Sequence, residues 1–409
     1  MSDATLVVRG IGELATCDPR VGDAPGVLRG AALACAGELI TYVGPEDGLR
    51  ELPIARDAVE IDARGMAVIP GFVDAHTHIV WLGDRSAEYA RRGAGESYES
   101  IAAAGGGIMA TVRATQQGTL DQLVAAARVR AARMLRLGTT TVEVKSGYGV
   151  EHDAEMRQLE AARALRADPD LPDVVATYLP LHAAPPPPRD AFVESVCTEG
   201  VPRAARNGAH FVDAFCETGA YTVEECERVF TAARAAGMRP KLHAEQLTRS
   251  GGALLAARAG AVSADHLEHA GDDDLRALAA AGVTGVVLPG ASLVLGGPPP
   301  PGRRLLDAGA RVAVATDCNP GTCYSESMPL MASLAVALAG LTPAEALVAA
   351  TSGGASALGL QDRGVLRGGL RADLCILDTP HWLDVAYHLG AHPVATVVRA
   401  GRVVAQAAA

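Results

Sequence analysis

Two histidines separated by one residue, His76 and His78, close the apolar run GFVDAHTHIV. In an extended segment, residues two apart point the same way, so both imidazoles can reach one ion from the end of a strand. An isolated pair of this kind is more often ordinary surface or core histidine. Here the pair opens a long alternation of apolar strands and helical segments, and later apolar runs end in His243 (KLHAEQ), His266 (SADHLEH) and Asp317 (AVATDCNPG). The pair with His243 and Asp317, three neutral imidazoles and one carboxylate, suits a borderline divalent ion such as zinc or ferrous iron, with a position left for water. Taken alone, Asp317 reads equally as a helix N-cap. SADHLEH offers two histidines: His266 is nearer the strand end, while His269, with Glu268 and the following acidic run, reads as solvated.

The elements that would position these groups are legible in the periodicity. From Gly71 to about Leu360, apolar strands alternate with Ala/Arg/Leu segments of helical period, as in TLDQLVAAARVRAARMLRLG followed by TTTVEVKS. Repeated units of this kind predict a parallel sheet closed as a (β/α)₈ barrel, whose catalytic groups collect at the C-terminal strand ends. Residues 1–70 and 360–409 are β-rich and are expected to pair into one small composite β-sandwich domain beside the barrel at 71–359. The proline runs Pro185 to Pro188 and Pro298 to Pro301 read as rigid loops, each directly after a barrel strand. Gly105 to Gly107 lack the strand and Lys-Ser/Thr of a phosphate cradle and read as a flexible active-site loop.

Composition narrows the function classes. The 409 residues carry 36 Lys plus Arg against 47 Asp plus Glu, a net charge of −11 with no basic run, which disfavours nucleic acid and anionic membranes as partners. No secretory signal or long apolar span is present, and the eight cysteines are scattered without CxxC, so a cytoplasmic chain with reduced thiols is expected. A homodimer is the expected assembly.

The motifs LGDRSAEYARRGAGESYESIAAAGGGI, TTTVEVKSGYG, LHAEQL and ATDCNPGTCYSESM resemble the amidohydrolase superfamily and, within it, the imidazolonepropionases of histidine degradation. The resemblance runs from about Gly71 to Ala357 and implies one zinc or iron ion held by His76, His78, His243 and Asp317. The implied reaction is hydrolytic opening of 4-imidazolone-5-propanoate, a small anionic substrate, to N-formimino-L-glutamate. Asp317 would shuttle the proton, and His266 would stabilise the oxyanion or orient water. Two-metal members bridge their ions through a carbamylated lysine at the end of strand four, and VEVKSGYG puts Lys145 near that place. Because the family resembled is mononuclear, Lys145 reads as structural or electrostatic.

An acidic protein must also supply local positive charge for the propionate. Arg85 can offer a bidentate fork and Tyr148 a phenolic hydrogen bond, and the family pattern carries substrate contact onto Arg85, Tyr148, His182, Asn319, Gly321 and Thr322. Gln246 stands where some members have a glutamate, which leaves hydrogen bonding but no general base there; the adjacent Glu245 leaves the strand in another direction. The alternatives are another amidohydrolase acting on a cyclic amide or aminated heterocycle, for which Arg85 is the discriminator, and an inactive assembly protein, for which bound metal is.

Overall fold

Short runs of apolar and β-branched residues suit a parallel sheet covered by helices, where both faces of a strand are buried. In the computed structural model, which describes residues 3–96, 100–101, 104–184 and 186–406, eight such runs lie side by side in chain order. They are Phe72–Asp74, Thr139–Lys145, Asp173–Leu181, Phe211–Cys216, Leu242–Ala244, Ser263–His266, Thr284–Val287 and Val312–Val314, all paired in parallel. Every residue of Thr139–Lys145 is buried. Ser97 to Glu99, Ala102, Ala103 and Pro185, which belong to the loop motif and to the first proline run, lie outside the described residues.

The barrel closes between its first and last strands at the residues of chemical interest. Thr77 bridges Cys318 in parallel, Asp317 N donates to His76 O at 3.0 Å, and His78 N donates to Cys318 O at 3.0 Å. Beneath this seam, Asp74 accepts from Thr316 N at 3.1 Å and Thr316 Oγ1 at 2.6 Å. Helices on the outside start where local chemistry dictates. Thr119 with Gln122 and Thr222 with Glu225 form capping boxes at the starts of Leu120–Arg136 and Val223–Ala235, satisfying otherwise orphaned amides.

The terminal segments meet in one sheet. Its strands run in the order Arg402–Gln406, Val394–Arg399, Leu374–Leu377, Val68–Pro70, Ala4–Ala15, Val27–Ala36 and Leu39–Pro45, with Ile54–Asp62 also on Ala4–Ala15. The join is the antiparallel pair Leu374–Leu377 with Val68–Pro70. Leu6, Leu14, Leu33, Ile40 and Leu374 form a core separate from that of the barrel.

Two expectations need correction. Lys145 ends the second barrel strand, not the fourth, which ends at Cys216. Pro298 to Pro301 do not follow a strand: they link helices Pro289–Leu295 and Gly302–Asp307. That helix of only two turns, PGASLVL, has no polar face and cannot be told from a strand by its apolar pattern.

Candidate metal and hydrolytic centre

Alternation along FVDAHTH carries both imidazoles of His76 and His78 to the interior, where their Nε2 atoms lie 3.3 Å apart. His243, from the middle of its short strand, stands with its ring centre 4.5 Å from that of His76, and His266 is 5.5 Å from His76. Asp317 Oδ1 completes the group at 3.5 Å from His76 Nε2 and 3.6 Å from His78 Nε2. All five side chains are buried. Ligand atoms of His76, His78 and His243, and of His76, His266 and Asp317, fall within 4.8 Å of one another.

The donor set fits a metal ion. Burial pushes His76 and His78 well below the ordinary imidazole pKa, with neighbouring cationic groups adding to the effect, so both are neutral and have lone pairs free. His78 Nδ1 and both ring nitrogens of His243 are buried without a hydrogen-bond partner, an arrangement that is costly unless something else takes those lone pairs. His76 Nδ1–H donates to Asp265 Oδ2 at 2.6 Å, which fixes the tautomer and turns Nε2 toward the cluster. His243 Nδ1 lies 3.0 Å from Asp213 Oδ2, off hydrogen-bond geometry but close enough to orient the ring.

A fully buried ionic lattice underlies these contacts. Lys145 Nζ is 2.7 Å from Asp213, 2.9 Å from Glu143 and 3.4 Å from Asp265. Lys241 Nζ is 2.9 Å from Glu143 and donates to Ala75 O at 2.9 Å. Burial opposes the charge on Lys145, but Asp213, Glu143 and Asp265 outweigh it and raise its pKa, so the amine stays an ammonium. Carbamylation needs the free amine; the sequence reading of Lys145 as an electrostatic residue agrees with this geometry.

His266 and Asp317 share a second peculiarity: both have positive φ, 79° and 52°, in the left-handed region that non-glycine residues enter at a cost. The strain is held by the strand-end hydrogen bonds around them, including Asp317 N to His76 O. The Glu268 side chain, expected to be solvated, is instead only 4% exposed, with a carboxylate oxygen 3.7 Å from His266 Nδ1 and another accepting from Ser292 Oγ at 2.8 Å. Burial alone would depress the His266 pKa; Glu268 outweighs it and raises it. The Asp317 carboxyl is likewise raised above the ordinary carboxylate value, by burial. His269 is exposed.

Tyr148 and His182 approach the cluster from the second and third strand ends. His182 stacks on His78 with ring centres 4.9 Å apart, and Tyr148 is 5.3 Å from His182 and 6.0 Å from His78. Burial lowers the His182 pKa to about 3, leaving it neutral.

Asn319, Gly321 and Thr322 shape the loop after Asp317. Asn319 Oδ1 accepts from Gly321 N and Thr322 N, each at 2.8 Å, and Thr322 Oγ1 donates to Asp317 Oδ2 at 2.8 Å. Gln246 is half-buried, and Glu245 turns away to accept the amides of Ser250, Gly251 and Ala253 at the start of helix Gly252–Ala259.

A cleft of about 650 Å³ opens beside this loop, lined among others by Arg85, Glu88, Arg92, Gly321, Thr322 and Tyr324. Arg85 is the N-cap of Ser86–Gly93 and only 10% exposed. Its Nε and Nη2 are each 3.0 Å from Glu88 Oε2, so one edge of the guanidinium is already taken. Its Nη1 faces Gly321, where an added Cβ would stand 2.4 Å away. Glu88 also accepts from Gly107 N at 3.1 Å, tying the glycine-rich stretch to the rim of this cleft. Sequence reasoning missed Glu88, Asp213, Asp265 and Glu268; the pairing of a histidine with an acid two residues later in HLE was the one available signal.

Comparison with known proteins agrees with this geometry. The model of the amidohydrolase family matches residues 67–404. The chain belongs to the amidohydrolase family. It is similar to the imidazolonepropionase of Deinococcus radiodurans, 46% identical over 401 residues covering 96% of this chain and 98% of the relative. That of Rubrobacter xylanophilus is 44% identical, covering 96% and 92%. Among solved amidohydrolase-like folds, 5-methylcytosine deaminase from Klebsiella pneumoniae superposes with a TM-score of 0.76 at 19% identity, covering 98% of each chain, a likeness of fold alone.

Proposed function

We propose that this protein hydrolyses the ring amide of 4-imidazolone-5-propanoate, giving N-formimino-L-glutamate in histidine degradation. The near full-length identity to imidazolonepropionases supports the reaction class. The observation that carries the substrate is Arg85: a guanidinium 10% exposed, with its Nη1 against Gly321, one residue from the Thr322 hydroxyl that holds Asp317. An anion anchor beside a proton-transfer carboxylate is what a ring bearing a propionate tail requires, and a neutral heterocycle does not need it.

In this reading His76, His78, His243 and Asp317 hold one divalent ion, zinc or iron. When bound, such an ion supplies an acidified water and polarises a carbonyl. Asp317 accepts the proton of the attacking water at its carboxylate, which Thr322 Oγ1 orients. Water oxygen bonds to the ring carbonyl carbon, the carbon–nitrogen bond breaks, and Asp317 returns its proton to the departing nitrogen. The carbonyl carbon becomes the new carboxylate. His266, whose pKa Glu268 raises, donates to the developing oxyanion. Arg85 binds the propionate through its Nη1 edge, because Glu88 occupies the Nε edge. Tyr148, His182 and Gln246 line the ring. Asn319 and Gly321, whose polar groups are used within the loop, contribute its shape, and Thr322 orients Asp317.

The test is to supply freshly made 4-imidazolone-5-propanoate and follow loss of its ultraviolet absorbance. Turnover that stops with chelator and returns with zinc or ferrous iron is the expected result; an unchanged absorbance with metal-loaded protein would overturn the reading.

A further inference from the structure

Far from the histidine cluster, the loop entering the N-terminal end of strand Asp173–Leu181 faces the hairpin turn at Ala400 and Gly401 across a cavity of about 700 Å³. Four arginines line it, Arg166, Arg371, Arg399 and Arg402, against a single carboxylate, Glu38. We infer that this cavity is a binding site for a small polyanion of carboxylate or phosphate type.

The guanidiniums are unequally neutralised. Arg371 is paired, with Nη1 3.1 Å from Glu38 and Nε 3.3 Å from Asp373. Arg402 reaches Asp170 only at 3.8 Å, between side chains more than 60% exposed, where such a pair is worth little. Arg166 and Arg399 have no ion pair among the described residues. Arg166 Nη1 is 3.4 Å from His210 Nε2, and Arg399 Nη1 donates to Pro169 O at 2.6 Å. Arg399 Nε is buried without a hydrogen-bond partner. Burial lowers the Arg399 pKa, with Asp173, Asp373 and Glu38 pulling the other way and Arg371 adding to the depression.

In a chain of net charge −11, four arginines converging on one cavity, two of them without an ion pair among the described residues, are not explained by the general field of the surface. An anion with two or more acidic groups would relieve their repulsion, and guanidinium geometry suits both carboxylate and phosphate. The volume exceeds what one inorganic ion fills and matches a small metabolite.

Isothermal titration of the metal-loaded protein with inorganic phosphate and with tricarballylate tests this. Saturable binding of at least one is expected, weakened by about tenfold or more in Arg166→Gln/Arg399→Gln and unchanged in Arg85→Ala, which removes the other anion anchor. Preference between the probes distinguishes a phosphate from a carboxylate occupant. Arg166→Gln alone, at an exposed side chain, weakens binding without endangering the fold and keeps the test valid if the double variant misfolds. No saturable binding of either probe, binding that survives the arginine substitutions, or binding lost in Arg85→Ala would each overturn the proposal.

Discussion

Asp265 Oδ2 lies 2.6 Å from His76 Nδ1, with both side chains fully buried and 189 residues apart in sequence. The carboxylate is shared with Lys145, 3.4 Å away, so the ionic lattice of the barrel interior reaches directly to the ring that faces the cluster. Removing it in Asp265→Ala leaves His76 free to choose the wrong tautomer and leaves Lys145 with one fewer partner. Metal affinity should fall by about 10- to 100-fold, read by competition against a chelator of known strength. Unchanged affinity would mean that the pair serves packing alone.

Arg85 separates substrate choice from ring chemistry. Its charge-assisted bonds to a carboxylate are worth roughly 1.5 to 3 kcal/mol each, and each 1.4 kcal/mol is about tenfold. Arg85→Ala should raise KM for 4-imidazolone-5-propanoate by one or more orders of magnitude with metal content intact, and Arg85→Lys should rescue poorly because a point charge cannot reproduce the planar fork. Steady-state kinetics beside metal analysis decides it; an unaltered KM would make Arg85 a structural partner of Glu88.

Asp317→Asn keeps the size of the side chain and the Thr322 contact but cannot accept a proton. Turnover should drop by at least about 10²- to 10⁴-fold, the usual range for loss of a general base. Circular dichroism should stay native, because the strained backbone at φ 52° suits asparagine at least as well as aspartate. A variant with near wild-type rate would end the proposed role.

The segment that leads from the last barrel helix into the terminal sheet is tied to the barrel by Arg363, whose Nη1 donates to Asp173 Oδ2 at 2.6 Å and to Thr141 Oγ1 at 3.0 Å. Burial would raise the Asp173 pKa, yet the Arg363 contact outweighs it and the carboxyl is held below its ordinary value. A depressed carboxylate contributes stability above its unfolded pKa of about 3.9, and that contribution is lost as pH falls through the lower folded value. Asp173→Asn should therefore cost about 2 kcal/mol at neutral pH and little in strong acid. Denaturant melts of both proteins at pH 7 and in strong acid would show the two curves converging; a constant gap would refute the linkage.

By itself the sequence determined the alternation that makes a barrel, because periods of 2 and 3.6 are local properties, and it placed His76, His78, His243, His266 and Asp317 at or just beyond strand ends. The family motifs extended that to Arg85, Tyr148 and His182. What only the tertiary structure decided is which charges meet inside. Lys145 looked like a strand-four residue until the strand order put it in the second strand, where it faces Asp213 of the fourth and Asp265 of the sixth. Glu268 looked solvated beside the acidic run that follows it, but the left-handed backbone at His266 and Leu267 turns its side chain inward. Arg85 looked like a free fork until Glu88, one helical turn along, took half of it. Each of these depends on contacts across a closed sheet or on a backbone conformation that closure imposes, and neither has a period that a linear pattern can carry.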